Sequence, residues 1–520
     1  MLRDWPILYA EALGRAAAID AATLAGVRRI SRSKLDPDQQ TLADLFEWEL
    51  ERRIEAFRLQ IYLTPYWEDR RFGPSIEELL LKAPKAPKVA SLDEYHIRIR
   101  EMSAFRRFVK QWITLRSEAK RSGMMPPKER TQGLILMTTN LLRSPPESWP
   151  ICAEASKFKL HAEVLSAIEH EILPGAKELR EFLIHEWLPA SSASPSLSQW
   201  TNGRDIYNEL IRLSTGTRLT ADDIYRIGTG EVSRLRNEMN AIVSRSGQQS
   251  LLQFRAAIIK DERFHFRTGA ELLEGYRASV DRIEPLLTRL FRQVPVHSAA
   301  VEPTPNGGGV AAAYDPVEHV VYVDISRPDL HSKLEIIPLM LHENLPGHHL
   351  LSSIEPGNTF GAAKGAAIRR DCDAFTEGWA LYAETLGEDL GLYTDPYSKF
   401  GQLSMELVRA VRLVIDSGIH SKGWSLEQAK EYFIAETGES ELAAADEVMR
   451  SLFPGRSAGY KVGQLRFRAM REKVSSKLGP RFDLAKFHDT ILHWGPLPLT
   501  VLEGKVDRCL MRPMDCPFAS

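Results

Sequence analysis

Leu341-His342-Glu343-Asn344-Leu345-Pro346-Gly347-His348-His349-Leu350 sets three histidines and a carboxylate within eight residues. It follows directly on the apolar run Leu334-Glu335-Ile336-Ile337-Pro338-Leu339-Met340, as a metal site on a buried helix requires. His342-Glu343 opens like the H-E-x-x-H signature, in which two histidines one helical turn apart hold zinc and the glutamate acts as base. Pro346 stands where the second histidine belongs, and His348-His349 arrive two residues late. On an unbroken helix a spacing of six or seven residues separates Cα atoms by about 9–10.5 Å along the axis, which strains shared coordination. Proline withholds a helical hydrogen bond and glycine accepts unusual dihedrals. Pro346-Gly347 therefore reads as a kink that returns a second histidine to His342. The spacing does not choose between His348 and His349.

A zinc ion that does chemistry takes about three protein ligands and leaves a position for water. The third ligand is expected to be a carboxylate on a neighbouring helix. Glu377, in Phe375-Thr376-Glu377-Gly378-Trp379-Ala380-Leu381-Tyr382, is an acid among aromatic and apolar neighbours, a costly setting unless a cation pairs with it. Asp373 lies one turn before it and Glu384 two turns after, so a helix face laced with surface salt bridges is the competing reading.

Composition narrows the classes. The 520 residues are 43% hydrophobic and 26% charged, the range of a folded protein with a large core. Lys and Arg number 67 against 69 Asp and Glu, a formal charge of -2, so neither nucleic acid nor an anionic membrane is an expected partner. The four cysteines Cys152, Cys372, Cys509 and Cys516 lack C-x-x-C spacing and suggest neither a disulfide framework nor a thiolate zinc cage. The N-terminus Met1-Leu2-Arg3-Asp4-Trp5-Pro6 lacks a basic segment followed by a long apolar one, and no apolar run approaches the roughly 18 residues of a membrane span. The expectation is a cytoplasmic protein.

Helical periodicity dominates the rest. Helices are expected over Leu42–Tyr62, Tyr95–Arg121, Ala153–Trp187, Leu272–Phe291, Asp371–Leu386, Met405–Ile419 and Tyr460–Lys477, with a shorter one near Phe487–His493. Thr220-Ala221-Asp222-Asp223 and Ser425-Leu426-Glu427-Gln428 have the form of capping boxes, and the first opens a helical region with a break near Gly228. Between Pro303 and Pro328, Val310–Tyr314 and His319–Asp324 read as strands of a small hairpin joined through Asp315-Pro316, after a turn at Gly307–Gly309. Two regions follow: residues 1–300, helical, and 301–520, metal-binding and catalytic, within one continuous fold.

The run His342-Glu343-x-x-Pro346-Gly347-His348-His349, then Glu377-Gly378-Trp379-Ala380-Leu381-Tyr382-Ala383-Glu384, then Asp416-Ser417-Gly418-Ile419-His420 resembles the bacterial family called domain of unknown function 885. The resemblance continues through Pro454-Gly455, Tyr460-Lys461-x-Gly463, Arg471, Phe487-His488-Asp489 and Leu497-Pro498-Leu499. Leu351 departs from it, standing where a polar Gln is the pattern. The family is regarded as related to gluzincin metallopeptidases. The resemblance thus implies a mainly α, elongated fold like neurolysin and angiotensin-converting enzyme, with a central channel and a small β-sheet next to the active-site helix. The N-terminal region would form part of the channel wall. It also implies that His342, His348 and Glu377 hold one zinc ion and that Glu343 activates its water.

Further residues fit a hydrolytic site. Arg412, Asp416 and His420 recur every four residues, with Arg409 beside them, so Asp416 can pair with an arginine and orient His420. Tyr460 and Arg471 share a helix face. The tyrosine suits an oxyanion and the arginine a substrate carboxylate. Val320–Asp324 offers a strand edge to an extended peptide. The expected activity is zinc-dependent cleavage of a peptide or small amide-type substrate, with Glu343, His420, Tyr460 and Arg471 as catalytic residues. Iron or manganese also suits two histidines and a carboxylate. The competing functions are non-peptide chemistry in specialised metabolism, or a binding scaffold without activity.

Overall fold

The computed structural model describes residues 10–64, 66, 75–86, 91–292, 294, 297–305, 311–354, 372–511 and 517–518. These residues are mainly helical, with one three-stranded sheet. Among them no helix is long and apolar enough to cross a membrane. The turn expected at Gly307–Gly309 lies outside them.

Packing does not divide the chain at residue 300. One compact unit comprises Met1–Gly26 and Leu50–Ile206, the other Val27–Glu49 and Tyr207–Ser520. In the first, the long helix Leu92–Arg121 is built as its periodicity implies, around Phe105, Trp112 and Leu115. The helix expected over Ala153–Trp187 is instead interrupted. Wider π turns occur at Ile168–Ile172 and Leu183–Trp187. Pro174 and Pro189 follow them and have no N–H to return to the carbonyls of His170 and His185, so each helix loosens one turn upstream.

The second unit carries every residue of the candidate site. Its helix α1 (Ala221–Arg245) starts at the Thr220/Asp223 capping box and runs unbroken through Gly228. A Cβ at Gly228 would stand 2.8 Å from side-chain carbons of Leu413 and Val414, so this glycine admits a close neighbour rather than a break. Helix α2 (Gly269–Ile283) precedes the sheet. Strands β1 (Ala300–Pro303), β2 (Ala312–Asp315) and β3 (Val320–Val323) are ordered β1-β3-β2. The hairpin β2–β3 is antiparallel, as its pattern implies, and β1 joins β3 in parallel. Val320–Asp324, expected to present a free edge, is the central strand with both sides paired. Among the described residues no further strand pairs with β2.

Then follow α3 (Ile336–Glu343), α4 (His348–Ser353), α5 (Asp373–Asp389), α6 (Pro396–Lys422), α7 (Leu426–Thr437), α8 (Glu441–Arg450), α9 (Ala458–Leu478) and α10 (Leu484–His493). Helix α6 forms the core axis, with every residue from Ala410 to His420 buried. Helices α5 and α9 meet backbone to backbone at two glycines. A Cβ on Gly463 would fall 2.1 Å from the Ala374 carbonyl oxygen and 2.5 Å from Gly378 Cα. Gly463→Ala must therefore push α5 and α9 apart. It is expected to destabilise the chain by about 1–3 kcal/mol, read as a lowered thermal midpoint, and to displace Glu377, one residue from the contact.

Candidate metal centre

Helix α3 ends at Glu343 and α4 begins at His348, and the four residues between make a tight bend. The Leu345–Pro346 peptide within it is cis. A Cβ at Gly347 would lie 1.8 Å from the His342 carbonyl oxygen, so only glycine lets the chain fold back over the end of α3. Two long-range contacts fix the bend. Trp379 Nε1 of α5 donates to the Pro346 carbonyl at 2.8 Å. The buried Asn344 amide exchanges two 3.0 Å hydrogen bonds with the Ala299 backbone, just before β1.

The bend returns His348 to His342, with ring centroids 4.8 Å apart and ring planes nearly perpendicular. Ligand atoms of His342, Glu343 and His348 lie within 4.8 Å of one another. From α5, Glu377 Oε2 lies 3.5 Å from His342 Nε2 and 3.3 Å from His348 Nε2. His349 turns the other way: its Nδ1 meets the Tyr314 hydroxyl at 2.9 Å and its Nε2 the His297 carbonyl at 3.1 Å. The geometry therefore brings His348, not His349, together with His342 and Glu377.

The electrostatics of this cluster call for positive charge at its centre. His342 Nδ1 lies 2.8 Å from Glu384 Oε1, and an ionised carboxylate only accepts, so Nδ1 carries the proton. A neutral His342 then presents its Nε2 lone pair to the Glu377 carboxylate, which is repulsive until a proton or a cation lies between them. Burial pushes the His342 imidazolium down, but hydrogen bonds with Glu377 and Glu384 outweigh it and hold His342 up at about 9. Burial likewise pushes Glu377 up, and the charge of His348 with the hydrogen bonds from both histidines reverses this, leaving the carboxyl well below the usual range. Two imidazoles and one carboxylate are also the donor set of a catalytic zinc site. On donor chemistry the residues fit the ion, with a carboxylate behind the first histidine as such sites require.

Glu384 is that carboxylate. It is fully buried, not a surface salt-bridge partner. Its Oε2 has no hydrogen-bond partner among the described residues, and Arg409 Nη2 lies 3.7 Å from Oε1. Seven residues after Glu377 is two helical turns, so both acids share a face of α5; the spacing signals the face but not the histidine it meets. Glu384→Gln removes the charge behind His342 and is expected to weaken zinc binding by about 10–100-fold, measured by competition with a chromogenic chelator.

Glu343 sits at the end of α3 with Oε2 accepting the Tyr314 N–H of β2 at 2.9 Å. The Tyr314 hydroxyl also meets His319 Nδ1 at 2.8 Å and Ser352 Oγ at 2.5 Å, tying β2 to α4. Sequence reasoning passed over Tyr314, because its backbone amide makes the contact and no side-chain pattern announces it. Tyr460 lies where the charge of Glu377 reaches it. Burial, then that charge, push its phenol up to about 12, so the hydroxyl keeps its proton at neutral pH. Arg412 covers its ring at 5.4 Å.

Three expected roles are corrected. Arg471 forms a two-point ion pair with Asp389 at 2.8 and 2.9 Å and touches the Tyr382 hydroxyl, away from the histidines. His420 is buried, with Nε2 2.7 Å from the Ser451 carbonyl. Among the described residues Asp416 pairs with no arginine: it accepts from the Tyr207 hydroxyl at 2.5 Å and the Gly455 N–H at 3.0 Å, while Arg412 pairs with Glu447. A helix buried all round sends its polar side chains to several neighbours. Asp416 and His420 therefore clamp the loop between α8 and α9 that leads to Tyr460.

A solved structure described as the putative lipoprotein from Colwellia psychrerythraea matches with a TM-score of 0.82 at 24% identity, over 97% of this chain and 92% of that one. A second, described as a putative lipoprotein of unknown function from Shewanella oneidensis, gives 0.69 at 17% identity, over 95% and 92%. These likenesses show a shared fold. Their description as lipoproteins overturns the cytoplasmic expectation, which rested on cysteine spacing, the first residues and the lack of a long apolar run. No curated protein sequence matches the chain. The model of DUF885, described as bacterial protein of unknown function, matches residues 3–506, and the chain belongs to that family.

Proposed function

We propose that the protein is a zinc-dependent hydrolase of metallopeptidase type, cleaving a peptide or small amide bond within a channel-bearing gluzincin-like fold. The observation that carries this reading is the convergence of His342 Nε2 and His348 Nε2 on one oxygen of Glu377, with Glu343 at the edge of the same cluster.

His342, His348 and Glu377 would hold the metal. Zinc, when bound, supplies a Lewis acid that polarises a carbonyl and makes water more acidic. Glu343 takes a proton from the attacking water and returns it to the leaving nitrogen. The Tyr314 amide aims the Glu343 carboxylate, and Glu384 fixes the tautomer and plane of His342. Tyr460, protonated and with no hydrogen bond to its hydroxyl among the described residues, donates to the oxyanion formed as water adds to the carbonyl. The Tyr314 amide turns away from β3 towards Glu343. Alternate residues of an antiparallel strand share a direction, so Ala312 also turns its backbone groups away from β3, to the side of β2 that pairs with no further strand among the described residues and where an extended substrate can add.

The test is cleavage of a mixed peptide library, read by mass spectrometry, before and after chelation and zinc readdition. The reading expects cleavage that disappears with chelator and returns with zinc. Zinc-loaded protein that leaves every peptide intact contradicts it.

A further inference from the structure

Resting on the hydrolase reading above, the hydrogen bonds of His349 give the second histidine of the His348-His349 pair a part of its own. The residue is buried, and its Nε2 lies 3.1 Å from the His297 carbonyl. A carbonyl only accepts, so Nε2 carries the proton and neutral His349 offers a bare lone pair at Nδ1. The Tyr314 hydroxyl, 2.9 Å away, donates its single proton there. Its oxygen in turn accepts from His319 Nδ1 at 2.8 Å and from Ser352 Oγ at 2.5 Å. The Ser352 proton is free for this, because Ser353 Oγ serves the His349 carbonyl at 2.7 Å. The chain thus has one direction, from His319 and Ser352 through Tyr314 to His349 and the backbone of His297. At its middle, Tyr314 also reaches the base. The Tyr314 N–H donates to Glu343 Oε2 at 2.9 Å, and among the described residues the Glu343 carboxylate has no other hydrogen bond. Glu343 closes α3 and His349 lies in the first turn of α4, on the far side of the bend that contains the cis-proline. Tyr314 therefore spans the bend, its hydroxyl held by α4 and its amide on the base. A reacting group keeps its geometry when the groups that orient it are themselves fixed by hydrogen bonds and packing.

We propose that His349 is a positioning residue for the base: by taking the Tyr314 hydroxyl proton it fixes the strand β2 residue whose amide aims Glu343. The two adjacent histidines then serve different parts of one site, His348 on the metal side and His349 on the side of the base.

Three variants of the zinc-loaded chain test this. Tyr314→Phe removes the donor, His349→Leu removes the acceptor, and His349→Asn keeps an acceptor near the place of Nδ1. Two readouts are compared with the unaltered chain: hydrogen–deuterium exchange of the Tyr314 amide, resolved by fragmentation in the mass spectrometer, and steady-state cleavage of a peptide that the unaltered chain cuts in the library assay. The proposal expects Tyr314→Phe and His349→Leu to speed exchange of that amide by about 5–10-fold, the worth of one hydrogen bond. Cleavage should fall by about 10–100-fold, as for a slightly misplaced catalytic group, with the loss in kcat rather than KM. Zinc affinity and thermal midpoint should hold, and His349→Asn should recover part of both losses. A joint that is merely structural lowers the thermal midpoint and zinc occupancy and leaves kcat per bound zinc intact, and that result overturns the proposal. Unchanged exchange of the Tyr314 amide in both Tyr314→Phe and His349→Leu overturns it as well, whether or not any peptide is cut. Faster exchange in a chain that cleaves no peptide defeats the hydrolase reading and leaves the tie from His349 to Glu343 standing.

Discussion

Glu343→Gln is expected to hold zinc as the unaltered chain does while losing peptide cleavage by about 10³-fold or more. The substitution preserves shape, and the amide oxygen of glutamine can still accept the Tyr314 N–H now received by Glu343 Oε2. The imidazoles of His342 and His348 and the carboxylate of Glu377 are untouched. What disappears is the capacity to take a proton from water and hand it to the leaving nitrogen. A fall in the chemical step with unchanged metal content assigns Glu343 as base. Metal loss on this substitution would instead make it a ligand, and full activity would remove it from the mechanism. Steady-state kinetics alongside metal analysis separate the three outcomes.

Glu377→Ala is expected to weaken zinc binding by more than about 100-fold, beyond the usual effect of a residue that only supports a ligand. One oxygen of Glu377 faces both imidazoles, and without it only two neutral donors remain. The consequence is readable without any substrate. A ligand at a thousand times its dissociation constant stabilises the folded state by about 4 kcal/mol. Zinc should therefore raise the thermal midpoint of the unaltered chain and leave that of Glu377→Ala unmoved. An equal rise in both proteins places the ion elsewhere.

The sequence was most legible where the determinants are local. The capping boxes at Thr220/Asp223 and Ser425/Gln428 form as their spacing implies, because each involves residues three apart. Pro346-Gly347 also announced its bend. It did not announce the bend's direction, which depends on Gly347 lying against the His342 carbonyl and on Trp379, 33 residues away, holding Pro346. That direction decides between His348 and His349. Strand β1 had no signal of its own, since four residues ending in proline become a strand only by pairing with β3.

The Arg412, Asp416 and His420 stripe was correct as a periodicity and incorrect as a catalytic chain. Periodicity reports which residues share a face, whereas partners come from the helices packed there: Glu447 on α8, Gly455 in the following loop, and Tyr207 far upstream. Arg471 failed in the same way, because Asp389 on α5 lies opposite it. Other motifs of the resemblance serve packing. Gly463 lets α9 touch α5, and His488 joins the Tyr382 hydroxyl at 2.9 Å to the Leu290 carbonyl at 3.0 Å. They hold α5, and with it Glu377 and Glu384, in register with the histidines.

Zinc titration into metal-free protein by calorimetry tests the central claim most directly, applied to the unaltered chain and to single alanine variants of His342, His348, His349 and Glu377. The account predicts one zinc per chain, with binding lost in His342→Ala, His348→Ala and Glu377→Ala and retained in His349→Ala. An unaltered chain that takes up no zinc, or binding that survives loss of His348 but not of His349, would contradict it.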